Sequence, residues 1–135
     1  MLDPLGNEKN FGFLKTAMDA ASMRHQLLSA NLANIDTPGY KAKDIDFEAV
    51  LRDFSDAEAM QPTRDANTGM PPAQPLNIKN YLIEDSPSLT DRYDGNNVDL
   101  DQTMADLGVA RSRYQLATQF MNRKARILNE VINSR

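Results

Sequence analysis

Apolar residues in the first part of the chain fall at Phe11, Leu14, Met18, Ala21, Leu28, Leu32 and Ile35, with His25 in the one remaining slot. The spacing alternates between three and four, which is the seam of a coiled coil rather than the broader stripe of an ordinary surface helix. It predicts a helix from about Glu8 to Asn34, roughly 40 Å long at 1.5 Å per residue. The last part repeats the pattern through Leu100, Met104, Leu107, Arg111, Tyr114, Thr118, Met121, Ala125, Leu128 and Ile132. Asp99 stands where this second helix needs an N-cap, and Gln102 follows three residues later in a capping-box arrangement. Polar residues inside a seam fix alignment at some cost in stability, the role expected of His25, Arg111 and Thr118.

The last helix carries a second stripe at Val109, Leu116, Phe120, Ile127 and Val131. One partner helix covers one seam, so two stripes imply at least two neighbours. A wide buried face in a small bundle would account for them; packing in a multi-subunit array is the sharper reading and the one adopted. Between the helices the pattern loosens. Asp46 to about Ala59 reads as a short amphipathic helix with Phe47, Val50, Leu51 and Phe54 on one face. The stretch 61–74 holds Pro62, Gly69, Pro71 and Pro72 and reads as a flexible loop. Asn77 to Glu84 reads as a short strand or extended arm, and Asp94-Gly95-Asn96-Asn97 as a turn. The expected fold is therefore mainly α, with long terminal helices packed as a coiled-coil-like pair around a short helix and an extended or flexible middle. Its divisions fall at 1–43, 44–97 and 98–135.

Composition narrows the class. The chain has 135 residues, 41% hydrophobic, with no Trp and no Cys, and a mean hydropathy of −0.55. A large compact core is not expected. The lack of cysteine excludes a disulfide scaffold and thiolate chemistry, and no run of 18 apolar residues marks a membrane span. The first residues lack the basic and apolar regions of a secretory signal. The net charge of −4 conceals blocks of +1 over 1–43, −10 over 44–106 and +5 over 107–135. Such blocks read as solvated faces, or else as complementary surfaces between neighbouring subunits, where matched potentials set register and orientation.

Candidate chemistry is sparse. His25 is the only histidine, and a single-histidine relay needs a nucleophile held beside it by a rigid scaffold. The run from Asp94 to Asp101 superficially resembles a calcium loop. It lacks the glycine at the sixth position and has Ala105 where the closing Glu belongs. Arg111, Arg113, Arg123, Lys124 and Arg126 make a basic patch, but the chain as a whole is acidic and no nucleic-acid motif accompanies it. No catalytic, cofactor or metal site is expected, and no nucleic-acid binding or membrane insertion.

The stretch from Ser29 to Lys41 is the most specific in the chain. Pro38 presets φ for the second position of a tight turn, and Gly39 permits the positive φ that a type II turn needs at the third. Pro38 also pushes Thr37 out of helical geometry, so the helix should end near Asn34. Asn31, Asn34, Thr37, Pro38, Gly39 and Tyr40 together resemble the signature of the bacterial flagellar rod and hook protein family. The run Asp94-Gly-Asn-Asn-Val-Asp99 before the last helix is a second point of likeness. The short length, Asp44-Ile45-Asp46-Phe47 soon after the turn, and Tyr114-Gln115 are most similar to the short proximal rod members. The resemblance implies a structural subunit of the periplasmic rod, exported without a cleaved signal and polymerising through its terminal helices. Its implied partners are other copies of itself, other rod proteins and the export-gate junction protein at the rod base. The assembly seams would involve Leu14, Met18, Leu28, Leu32, Leu107, Tyr114, Leu116, Phe120, Met121 and Leu128. Alternatives are the other short proximal rod protein, or a free-standing helical adaptor that binds one partner helix.

Overall fold

The computed structural model describes residues 4–59, 77–84 and 92–133. Helix α1 spans Pro4–Ala33, strand β1 Lys43–Ile45 and helix α2 Phe47–Ala59. A 3₁₀ turn at Ile78–Tyr81 leads into strand β2, Leu82–Glu84, and helix α3 runs over Leu100–Asn133. The loop expected over 61–74 lies outside the described residues. Helices α1 and α3 pack antiparallel: Lys124 near the end of α3 sits 5.3 Å from the Phe11 ring near the start of α1. At the other end, Arg24 reaches Asp106 at 3.6 Å.

The mainly helical fold with two long packed terminal helices is the one the periodicity implied, but the seam needs correcting by one position. On α3 the buried residues are Thr103, Ala110 and Ala117, not Met104, Arg111 and Thr118. Leu100, Met104 and Ile132 are exposed. On α1 the inward positions are Ala17, Ala20, Ala21 and Leu28, while His25 is exposed and Arg24 fills the slot assigned to it. The reason is steric. Ala20 is buried against Ile45 and Val50, which leaves Ala17 and Ala21 as the small buried residues of α1 to meet Thr103, Ala110 and Ala117 of α3. Larger side chains at 100, 104 and 111 are displaced to the flanks.

Asp46 caps α2. Its side chain accepts from the Ala49 N–H at 2.9 Å, satisfying one of the orphan donors of the first turn. The apolar face of α2 turns toward α1: Val50 is fully buried with Ala20 and Ile45, and Met23, Leu27, Phe47, Ile78 and Tyr81 pack around them. Further out, the Phe13 and Phe54 rings meet edge to face at 6.1 Å. Strands β1 and β2 pair antiparallel in the register Lys43↔Glu84, Asp44↔Ile83, Ile45↔Leu82. The residues read as a strand or arm thus divide into a turn, where Asn77 caps the 3₁₀ helix, and a strand. Strand β1 was not expected. Three residues are too few for a period-two signal, and its outer edge is covered by a side chain.

Candidate assembly site

That side chain is Asn31, on the last turns of α1 and 3% exposed. Its Nδ2 donates to the Lys43 carbonyl at 2.7 Å, and its Oδ1 accepts from the Lys43 N–H at 3.0 Å and the Tyr40 hydroxyl at 3.2 Å. One amide side chain thus mimics a neighbouring strand and blunts an edge that would otherwise offer unpaired backbone groups.

The turn after α1 has the expected geometry. Tyr40 N–H donates to the Thr37 carbonyl at 3.3 Å, and Gly39 has φ of +71°. Asn34 closes the helix end: its Nδ2 donates to Ala30 O at 2.8 Å and its Oδ1 accepts from the Thr37 hydroxyl at 3.2 Å. Gly39 N–H then crosses to the Asp94 carbonyl at 2.9 Å, tying this turn to the one before α3.

A residue that joins the two turns is Asn96, part of the Asp94–Asp99 run whose sequence pattern predicts a turn and carries the second point of family likeness, but predicts no role across the fold. It is completely buried. Its Nδ2 lies 2.9–3.0 Å from the carbonyls of Asn34, Ile35 and Thr37. Its two hydrogens are therefore shared among three carbonyls of the turn after α1. Each of these also accepts from a second donor: Asn34 O from Thr37 N–H at 3.0 Å, Ile35 O from Arg92 Nη1 at 3.1 Å and Thr37 O from Tyr40 N–H at 3.3 Å. Its Oδ1 accepts from Val98 N–H at 2.8 Å, and its own N–H donates to Asp94 Oδ1 at 3.1 Å. Asn97 continues the clasp by accepting from Ala42 N–H at 2.7 Å. Asp99 then caps α3 as expected, accepting from Gln102 N–H at 3.0 Å.

Arg24 fastens three elements. Its Nε and Nη2 donate to the two Asp44 carboxylate oxygens at 2.9 and 2.8 Å, the bidentate fork that suits a guanidinium. Burial disfavours the charged form, but the hydrogen bonds to Asp44 and the charges of Asp44, Asp106 and Asp46 outweigh it, so Arg24 titrates above its ordinary range.

Along the helices the seam residues separate into two groups. Leu28 is buried; Leu14, Met18, Leu32, Leu107, Met121 and Leu128 are half-buried. Tyr114 is 41% exposed, and Leu116 and Phe120 are more open still at 54% and 50%. With them, Val109, Ile127 and Val131 form a stripe facing solvent for most of the length of α3. Toward the end of the pair, Phe13, Leu14, Phe120, Arg123, Lys124 and Ile127 line an open groove of about 300 Å³. Arg113 of the basic patch packs over the Phe47 ring at 4.4 Å, a stacking contact with its own chain. Among the described residues, no group of three or more His, Asp or Glu is placed to hold a metal, and no helix is long and apolar enough to cross a membrane.

These features define a helical packing protein, clasped at one end by asparagines and open along one face of its last helix. The chain belongs to the flagellar basal body rod protein family: residues 13–41 match the family model, and full-length relatives match throughout. Flagellar basal body rod protein FlgB of Escherichia coli (strain K12) is 33% identical over 147 residues, covering 99% of each chain. The protein of that name from Proteus mirabilis (strain HI4320) is 31% identical over 137 residues, covering 98% of each. The one from Bacillus subtilis (strain 168) is 32% identical over 120 residues, covering 88% of this chain and 89% of its own. The matched segment 13–41 runs from the groove-lining end of α1 through the whole Asn31–Tyr40 turn.

Proposed function

We infer that this chain is a structural subunit of the proximal flagellar rod, the shaft that links motor to hook. The observation that carries the reading is the solvent-facing stripe Val109, Leu116, Phe120, Ile127 and Val131, in a chain whose whole length is similar to rod proteins. A contiguous apolar face of this kind marks an interaction surface rather than ordinary surface residues. In an array, the stripe and the groove beside it are covered by neighbouring subunits, while the small-residue seam stays within the chain. Torque transmission needs stiff, repeated interfaces and no turnover, which suits a molecule whose polar groups are spent on fixing its own turns. The partners in this reading are further copies, other rod proteins and the export-gate junction protein at the base. The site of action is the periplasmic rod, reached by export without a cleaved signal.

The deciding experiment is a map of isolated basal bodies carrying a tagged version of this chain. Extra density low on the rod, beneath the other rod subunits, is the expected result. A chain absent from basal bodies, purified instead in a stable one-to-one complex, would make it an adaptor and end the rod reading.

A further inference from the structure

The seam that holds α1 against α3 is shallow. Its buried positions are Ala17, Ala21 and Leu28 on one side and Thr103, Ala110 and Ala117 on the other, Ala20 being packed instead against Ile45 and Val50. Alanine lets helices approach closely, but one alanine turn differs little from the next. Sliding α3 by a heptad exchanges Ala110 for Thr103 or Ala117 in the same place. Of the large side chains that would penalise such a slip, Met104, Leu116 and Phe120 stand outside the seam, and Leu107, Met121 and Leu128 are only half-buried beside it.

Positional information must therefore also come from polar contacts. Among the described residues Arg24 and Asp106 link the helices themselves. Gly39 N–H to the Asp94 carbonyl, Asn97 N–H to the Tyr40 carbonyl, Ala42 N–H to Asn97 Oδ1, Arg92 Nη1 to the Ile35 carbonyl and the Asn96 amide link the turn after α1 to the turn before α3. Arg24 reaches Asp106 at 3.6 Å, but its bidentate grip is on Asp44, and its long side chain can follow a moving partner. Asn96 is different. It is wholly buried, held at its own N–H and its Oδ1, and faced by three carbonyls from the end of α1. Three residues later Asp99 caps α3, so the start of that helix is tethered within a few bonds of the clasp. We propose that Asn96 is the positioning residue that sets the register of α3 on α1, while the alanine seam supplies closeness without register. Buried polar groups of this kind are well attested as register devices in helical pairs. The consequence for assembly rests on the rod reading above. A slip of one heptad carries the exposed stripe about 10 Å along the axis, so subunits in mixed registers could not offer it at one height. The register itself is a property of the single chain.

The chain has no cysteine, so spin labels at Gln26→Cys and Gln119→Cys, both exposed, report the α1–α3 distance in the full-length protein by pulsed EPR. The parent should give one narrow distance. Asn96→Ala should add populations displaced by steps of about 10 Å while far-UV circular dichroism holds its helical signal. Val98→Ala removes apolar bulk from an equally buried neighbour; it should lower stability and leave the distance in place. Asn96→Ser keeps one donor and covers the case in which the alanine variant does not fold, and it should show the displaced population in smaller amount. A single unchanged distance in a folded Asn96 variant overturns the proposal. So does equal displacement by Val98→Ala, or unfolding of both Asn96 variants, which would make Asn96 a folding residue alone. None of these results bears on where the chain sits in a basal body, so the rod reading stands or falls separately.

Discussion

Where α1 ends and α3 begins, carbonyls from three residues converge on one buried amide, and Asn31 mends the edge of β1. At the opposite end of the same pair, Phe13, Leu14, Phe120 and Ile127 line a groove open to solvent. The first region is finished within the chain. Its hydrogen bonds are directional and short, and a buried group deprived of its partner incurs the full desolvation penalty. The second is incomplete, held by half-buried side chains and by Lys124 lying over the Phe11 ring, with apolar surface still in water. The difference teaches where specificity and adhesion reside. Polar contacts settle how this chain folds on itself, and the open apolar face is left for a neighbour.

The comparison breaks most decisively at Phe120. Placing an aspartate there with Phe120→Asp puts a charge on a half-exposed position of the monomer, where water still solvates it. In an assembly that covers the stripe the same charge is buried without a partner, a penalty of several kcal/mol. Expression, export and monomer unfolding should stay near the parent's, while no rod is built and swarming is lost. A motile Phe120→Asp strain would remove the stripe from the interface. A variant degraded before export would place Phe120 in the monomer's own core.

The clasped end is tested by Arg24→Ala. That change leaves Asp44 and Asp106, with side chains 17% and 25% exposed, facing each other without the shared cation. Urea unfolding should show a loss of about 2–3 kcal/mol, somewhat under the figure for a fully buried pair deprived of one partner. Arg24→Lys should recover only part, since an ammonium cannot make the two-pronged contact. A loss no larger than that of an exposed surface pair would show that the β1 segment is held by its strand pairing, Asn31 and the burial of Ile45 without help from Arg24.

What could be read from the sequence divides along the same line. The Pro38–Gly39 turn, the Asp99 cap and the two long helices follow from local rules, because the residues that cause them are neighbours along the chain. The exposed stripe was visible as a second periodicity on one helix. The one-position shift of the seam was not, because a heptad reading gives weight to large apolar residues. Here Leu100, Met104 and Ile132 are kept outside, Leu107, Met121 and Leu128 are half-buried, and the buried positions are Thr103, Ala110 and Ala117. Asn96 was hidden for another reason. Its acceptors lie 59–62 residues away in sequence, and an asparagine in Asp-Gly-Asn-Asn already has a sufficient local explanation as a turn former. Arg24 was masked by its neighbour, since His25 fits the three-four spacing as well and only the packing distinguishes them.

The smallest expected effect sharpens the comparison most finely, because the helical glycines Gly108 and Gly12 stand in the two regions with different surroundings. Gly108 in α3 lies beside the clasp, and an added Cβ there would meet nothing within 4 Å. Gly108→Ala should therefore stabilise the chain by about 0.5–1 kcal/mol, the ordinary gain from restricting a helical glycine. Gly12 in α1 lies on the groove side, and its added Cβ would come 3.0 Å from Cζ of Phe54. The ring tip has to swing, which disturbs its edge-to-face contact with Phe13, a pair worth about 0.5–1.5 kcal/mol. Gly12→Ala should accordingly gain little or lose slightly. In a Phe54→Ala background that opposition is gone, and the same substitution should recover the full helical gain. Urea midpoints at constant m-value measure all three differences. Equal gains at the two glycines in the parent would mean that Phe54 yields freely, leaving α2 loosely seated on the open end of the pair.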